Sequence, residues 1–184
     1  MNRLTTYTAT LMIGVRGMGT VQAGEASTKA SAANGWGRNG SAAAVANYTG
    51  QGGVGLARTD TSAGDLALAR GLAVGFDQNG LDFSFSHAIA PRVGPAYAGT
   101  FNLSIGLDGR VSGSYGGVLS TGGLARSAEA GGATSTLWRG GTAQAIATGN
   151  AAPGGRVNAY THSYNQPRQP NRIVRLPFQP LRMR

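Results

Sequence analysis

The sequence predicts a mostly β protein, an antiparallel meander of hairpins that closes into a sandwich or a barrel. Three observations support this prediction. Apolar residues alternate with small or polar ones from Ser41 to Ser163, Asn-Gly and Asp-Gly pairs separate the alternating runs, and glycine accounts for 31 of the 184 residues. A chain of this length supports one domain with a core, whereas two full domains would be crowded.

Two runs show the alternation most clearly. In residues 81–88 (LDFSFSHA) and 100–107 (TFNLSIGL), most aromatic and aliphatic side chains fall on one face and most polar or small ones on the other. A period of two with this contrast predicts half-buried strands. The run DLALARGLAV contains good helix formers, but Gly64, Gly71 and Gly75 argue against a helix.

The turn residues place two hairpins. Asn79-Gly80 and Asp108-Gly109 are preferred pairs for tight type I′ turns, because both central residues of such a turn need a positive φ. The sequence therefore predicts hairpins over residues 65–88 and 100–117.

A weak internal repeat links Gly40–Asn47 (GSAAAVAN) with Gly141–Thr148 (GTAQAIAT). Each segment is followed by a glycine-rich break and a second alternating run. One hairpin design used twice would explain the repeat, and so would chance similarity in a chain this rich in alanine and glycine.

Many positions in the strands carry small side chains, which bury little apolar area per strand. Faces of alanine and glycine pack closely, sheet on sheet or subunit on subunit. Assembly into an oligomer or a fibre would supply the missing burial, so self-association is expected.

The first 23 residues have the outline of a signal peptide. Arg3 gives a short positive region, Leu4–Val15 is mostly apolar, and Val21-Gln22-Ala23 places small residues at the expected cleavage positions. An ordinary N-terminal strand is the alternative, since the threonines in the apolar run and Arg16 after it depart from the usual pattern. The run is too short to cross a bilayer as a helix, so no transmembrane span is predicted.

The chain is thus predicted to have four parts. They are a signal peptide over residues 1–23, a flexible lead-in over residues 24–39, an antiparallel β domain over residues 40–165, and a basic, proline-rich tail over residues 166–184.

Residues 50–55 (GQGGVG) match the G-x-G-x-x-G spacing of a dinucleotide-binding turn. That fingerprint requires a helix directly after the glycines and an acidic residue about twenty positions later. The residues that follow show no helical periodicity, and Asp60, Asp65 and Asp77 do not fit the spacing. The glycines are therefore interpreted as part of a β-turn, and no cofactor is predicted.

No arrangement of residues indicates catalysis or metal binding. The chain has no cysteine and two histidines, which excludes thiolate chemistry and His-rich metal sites. Ser84 and His87 are close in sequence, but a G-x-S-x-G elbow is absent. Asp77, Asn79 and Asp82 offer oxygen donors without the remainder of an EF-hand loop. The prediction is a non-enzymatic protein without a metal.

The C-terminal tail differs from the rest of the chain. From residue 131 to residue 184 there are seven arginines and no acidic residue, which contributes most of the net charge of +9. An extended arm of this kind would lie along a nucleic acid, another polyanion or a protein partner; the alternative is a solvated terminus. The residues predicted to bind are Arg168, Arg172, Arg175, Arg182, Arg184 and Phe178.

Composition favours one of two functions. Charged residues make up 12% of the chain, about half the usual share. Together with the signal-like start, this predicts an exported, non-enzymatic, glycine-rich structural protein, secreted or at the cell surface, with a structural, adhesive or assembly role. Self-association or a surface partner is expected. The alternative is a cytoplasmic, nucleic-acid-associated protein that binds through its Arg-rich, acid-free C-terminal third.

Overall fold

The computed structural model describes residues 24–50, 52–137 and 140–165, and within these ranges the regular structure is all β. Ten strands follow in chain order: β1 (Gly24–Gly35), β2 (Arg38–Thr49), β3 (Val54–Ser62), β4 (Leu66–Asp77), β5 (Gly80–Pro91), β6 (Ala96–Gly106), β7 (Val111–Thr121), β8 (Ala125–Leu137), β9 (Gly140–Ala151) and β10 (Arg156–Asn165). The prediction of a mostly β fold is confirmed.

The strands form two antiparallel sheets that pack face to face. The four-stranded sheet has the order β2-β1-β8-β9, and the six-stranded sheet has the order β10-β7-β6-β5-β4-β3. Strands β3 to β7 form a meander in which each strand pairs with the next, and β10 pairs with β7 at its far edge. The architecture is sandwich-like and is not a closed barrel.

The lead-in over residues 24–39 is not a flexible segment, and that prediction is wrong. The first strand, β1, lies inside the four-stranded sheet, where it pairs with β2 on one side and β8 on the other. In β1, Ala26 and Ala30 are buried and Lys29 is exposed. Because the buried side chains are small, the sequence shows little of the hydrophobic contrast that would identify a strand. The β domain therefore includes residues 24–39.

Both predicted hairpins are present, as β4–β5 and β6–β7, although their turns are centred differently. The loop residues of the first hairpin are Gln78 and Asn79, and Gly80 already belongs to β5. In the second, the N–H of Gly109 donates to the carbonyl oxygen of Gly106 at 3.0 Å, and Gly109 has a φ of 78°. This is the three-residue loop in which a left-handed glycine forms a bulge.

The two segments of the internal repeat occupy matching places in the fold. They are β2 and β9, the two edge strands of the four-stranded sheet. Each is followed along the chain by an edge strand of the six-stranded sheet, β3 or β10. The repeat therefore corresponds to the two corners at which the chain passes from one sheet to the other.

The interior between the sheets is built from small side chains. Its hydrophobic cluster consists of alanines and one valine, Val118. The close approach of the two backbones explains this choice, because a Cβ on Gly71 of β4 would lie only 2.9 Å from the carbonyl oxygen of Val45 in β2. Large side chains do not fit at such a separation.

Hydrogen bonds join the sheets where large apolar side chains would ordinarily pack. The amide nitrogen of the fully buried Asn102 donates to the Ser114 hydroxyl at 3.1 Å and to the Gln144 carbonyl oxygen in the other sheet at 3.0 Å. Ser84 donates to Asn102 Oδ1 at 2.6 Å, and its hydroxyl is 2.8 Å from that of Thr28 in β1. Because unpaired buried polar groups are costly, this network helps to fix which strand faces turn inward.

One end of the interior is filled by an aromatic ring. Tyr48 of β2 lies over Gly55 of β3 and Gly75 of β4, and a Cβ on either glycine would overlap the ring. Two glycines thus make room for a single tyrosine, a usual reason for glycine inside a strand.

Candidate binding face

The large apolar side chains of the six-stranded sheet point away from the four-stranded sheet. One row of cross-strand neighbours covers all six strands: Arg58, Leu72, Phe85, Phe101, Tyr115 and His162. The adjacent row is Leu56, Val74, Phe83, Leu103, Gly113 and Tyr164. We call the outward surface of the six-stranded sheet, centred on these two rows, the apolar face.

Side chains of the apolar face are accessible to solvent. Phe76, Phe101 and Tyr115 are each about half exposed, at 51%, 45% and 49%, whereas Ser84 and Asn102 on the inward side of the same sheet are fully buried. The large aromatic side chains of this sheet therefore face outward, while its inward side carries small apolar and polar residues. Contiguous exposed apolar surface on a folded protein marks an interaction site.

The outward surface of the four-stranded sheet has a different character. It carries the ion pair between Lys29 and Glu129, whose Nζ and Oε1 atoms are 3.0 Å apart, and many serine, threonine, asparagine and glutamine side chains. Val45 and Ile146 are exposed there among polar neighbours. The two outer surfaces thus differ in polarity, and the apolar face is the better candidate for an interface.

Aromatic side chains lie flat over a glycine pair near the β10 edge of the apolar face. A Cβ on Gly99 would lie 2.9 Å from the Tyr97 hydroxyl and 2.8 Å from His87 Cε1. A Cβ on Gly117 would lie 2.9 Å from the Tyr160 hydroxyl. The glycines therefore allow these rings to cover the backbone, which gives this part of the face a smooth, aromatic surface.

The titratable groups of this aromatic region favour their neutral forms. Burial lowers the pKa of His87, and the Arg70 guanidinium beside it acts in the same direction. Burial raises the pKa of Tyr97, and the neighbouring Tyr160 adds to the rise. His87 and Tyr97 are consequently uncharged near pH 7, so they do not oppose the removal of water from this surface.

The size of the apolar face matches that of a protein–protein interface. Six strands of about eleven residues span roughly 24 Å by 36 Å at ordinary strand spacings, an area on the order of 900 Å². Interfaces of standard size bury about 800 Å² on each partner. A single protein partner could therefore cover the face.

The residues that the sequence predicts to bind a polyanion or a partner lie outside the described residues: Arg168, Arg172, Arg175, Arg182, Arg184 and Phe178. The signal peptide predicted over residues 1–23 lies outside them as well. Both interpretations stay predictions.

The other sequence motifs do not form a catalytic or nucleotide site where the structure describes them. The glycine motif over residues 50–55 leads from β2 into another strand, β3, where a dinucleotide site requires a helix. Ser84 faces the interior while His87 lies on the apolar face, so the two side chains point in opposite directions.

Two carboxylates, however, come together at one end of the sandwich. A Cβ on Gly24 would lie 2.6 Å from Asp77 Oδ2 and 2.8 Å from Asp82 Oδ2, and the two aspartates are only 3% and 1% exposed. The described residues contain no group of three or more histidines and acids able to hold a metal ion. We call the surroundings of Asp77 and Asp82 the acidic site.

Tyr48 belongs to the same acidic site, and the sequence did not indicate this residue. Its hydroxyl is buried and finds no hydrogen-bond partner among the described residues. Burial raises the pKa of Tyr48 to about 12, and the carboxylates of Asp77 and Asp82 contribute to the rise. A positive charge at this point would satisfy all three groups.

In the part of the chain that the structure describes, no helix has the length and hydropathy needed to cross a membrane. No protein-family model, curated protein or solved structure matches this chain.

Proposed function

We propose that this chain is an exported, non-enzymatic β-protein with a structural, adhesive or assembly role at the cell surface, and that it acts by self-association through the apolar face. The observation that carries the proposal is the packing of the six-stranded sheet, with serine and alanine inside and phenylalanine, leucine and tyrosine outside. The signal-like start of the sequence supports export.

Energetics favour an interface at this position. A core of alanine side chains adds little to stability, because each alanine buries little apolar area and burial contributes about 25 cal/mol per Å². The side chains able to bury much more area lie on the apolar face, where they gain this free energy only when the face is covered. Homodimer interfaces are more apolar than other interfaces, which fits a face with few charged side chains.

A second copy of the chain is the partner that fits these observations best. The face is of dimer size by the estimate above, and its few charges include both signs: Arg58 Nη2 lies 3.4 Å from Asp60 Oδ1, with Arg70 paired opposite Asp60 in the ladder. A twofold arrangement of two such faces brings no large excess of one charge together.

Sedimentation of the purified chain over a range of concentrations tests the proposal. We expect a dimer or larger assembly that weakens at least tenfold in Phe101→Lys, because this change places a charge at the centre of the face. Ile146→Lys is the matched control, since Ile146 is an exposed strand residue on the polar side of the sandwich.

A stable monomer at about 100 µM, or equal weakening by the two lysine variants, would contradict the proposal. A chain that ends at Asn165 should assemble like the full chain. If assembly is lost on that truncation, the tail and not the face supplies the contact.

A further inference from the structure

We propose that peptide-bond cleavage between Ala23 and Gly24 creates an α-ammonium group that the buried carboxylates of Asp77 and Asp82 bind as an ion pair. The mature N-terminus is then bound in the acidic site. This inference rests on the export included in the proposed function, and it is independent of the apolar face.

Gly24 lies directly beside both carboxylates. Its Cβ position is 2.6 Å from Asp77 Oδ2 and 2.8 Å from Asp82 Oδ2, and the nitrogen of any residue is about 2.5 Å from its own Cβ position by standard bond lengths. The nitrogen of Gly24 therefore lies within roughly 5 Å of both oxygens. A terminal residue can rotate to close the remaining gap.

No cation is paired with either carboxylate among the described residues. Asp77 Oδ2 and Asp82 Oδ1 are buried without a hydrogen-bond partner, and the ion pairs found among residues 24–50, 52–137 and 140–165 include neither aspartate. A buried carboxylate is costly unless it is paired or protonated. An ammonium group supplies one positive charge and three donors to this site.

The buried surroundings of the aspartates are built for a polar ligand. Asn79 is 3% exposed, and both polar atoms of its side chain have no partner among the described residues. The Tyr48 hydroxyl is likewise unpartnered and points to the same end. The Tyr48 hydroxyl can accept a hydrogen bond from an ammonium group in this site.

The sequence before the cleaved bond also fits removal of a signal peptide. Val21-Gln22-Ala23 has the small residues that a signal peptidase requires, and Gly24 follows directly. The structure favours glycine there, since a Cβ would come closer than 3.0 Å to both carboxylate oxygens and the aspartates would have to move. The residue that follows the cleavage motif is thus one that the acidic site can accept.

The chemistry is a hydrolysis and needs only water and a peptidase. The C–N bond of the Ala23–Gly24 peptide breaks, the Ala23 carbonyl carbon gains a hydroxyl from water, and the released amine takes up a proton. One new carboxylate leaves with residues 1–23, and one new ammonium group stays on Gly24. The cation then pairs with charges that were already buried.

Mass spectrometry of the exported full chain gives the first readout, and we expect a mature chain that starts at Gly24. The second readout is the pKa of its α-amine, from the pH dependence of selective acylation. An ordinary α-amine has a pKa of about 7.7–8.0. Pairing with two carboxylates should raise this pKa by at least one unit, so acylation at pH 7 should be about tenfold slower.

Two variants and a control separate pairing from other effects. Asp82→Asn and Asp77→Asn should each return the α-amine pKa toward its ordinary range and lower Tm. Asp65→Asn should change neither, because the Asp65 side chain is 88% exposed. If an aspartate variant fails to fold, the pKa of the unaltered chain still decides.

Three results would overturn the inference. A chain that starts at Met1 would also remove the support for export, while the sedimentation experiment would test the apolar face independently. A mature chain with an ordinary α-amine pKa would show that the ammonium is solvated. A rise in Tm on addition of CaCl₂, absent in Asp82→Asn, would assign the carboxylates to a metal ion instead.

Discussion

Gly75→Ala should destabilise the unaltered protein, but it should stabilise a protein in which Tyr48 has been replaced by alanine. The three atoms nearest to a Cβ on Gly75 all belong to the Tyr48 ring, and the Cβ would overlap them. In the unaltered protein, Gly75→Ala therefore forces the ring or the backbone to move. Overpacking of this kind costs about 1–3 kcal/mol.

Tyr48→Ala removes the obstacle. Truncation of a large buried aromatic residue costs about 3–5 kcal/mol, and we expect a value near the lower end because Tyr48 is only partly buried. In that background Gly75→Ala meets no ring, and it replaces glycine in a strand interior, which is worth about 0.5–1 kcal/mol. The coupling between the two changes should therefore be about 1.5–4 kcal/mol.

Urea unfolding of the four chains of this double-mutant cycle measures the coupling. All samples need the same protein concentration, because self-association shifts apparent stability. Tyr48→Phe keeps the ring and should keep the penalty of Gly75→Ala. Equal costs of Gly75→Ala with and without the ring would refute the packing described for Tyr48.

Three further predictions concern buried polar groups. Asn102→Ala should lower the free energy of unfolding by about 2–4 kcal/mol, because Ser84 and other partners lose their hydrogen bonds; urea unfolding checks this. Because the pKa of His87 is lowered in the folded protein, the contribution of this side chain to the free energy of unfolding is present above pH 6.5. It is lost as the pH falls through the lowered pKa. Urea unfolding at a series of pH values from 7.5 downward should show this loss, and His87→Gln should remove it. Burial is the main cause that raises the pKa of Asp82 above 3.8, so with the α-amine acetylated, the contribution of Asp82 to Tm should be fully present below that value and should fall as the pH rises through the raised pKa. Asp82→Asn should abolish this fall.

Local patterns in the sequence were sufficient for several of the strands and for two hairpins. Period-two alternation over residues 81–88 and 100–107 depends only on near neighbours, so it identified β5 and β6 correctly. The prediction failed over residues 24–39, because alanine, serine and threonine alternate there with little hydrophobic contrast. That strand is held by ladders to β2 and β8, and β8 is about one hundred residues away in the chain.

The side of each strand that turns inward could not be predicted locally. In β5, alternation separates Phe83 from Ser84, and burial of phenylalanine is the usual outcome. Here Ser84 is buried because Thr28 lies opposite it in the other sheet, and these residues are 56 positions apart. The acidic site has the same origin, since Gly24, Tyr48 and Asp77 come from three different strands. Contacts between distant strands decide both features.

The close approach of the sheets and the apolar face have one cause. Where glycine and alanine bring the backbones as near as Gly71 and Val45, a phenylalanine has no space in the interior, so the alternation places it outside. The smaller the inward side chains, the more of the chain's large apolar area is left for the outer surface. Stability gained by covering that surface then adds to a core that is weak by itself. In such a protein, folding and assembly both depend on the small size of the inward side chains. A change that enlarges an inward side chain should therefore disturb both.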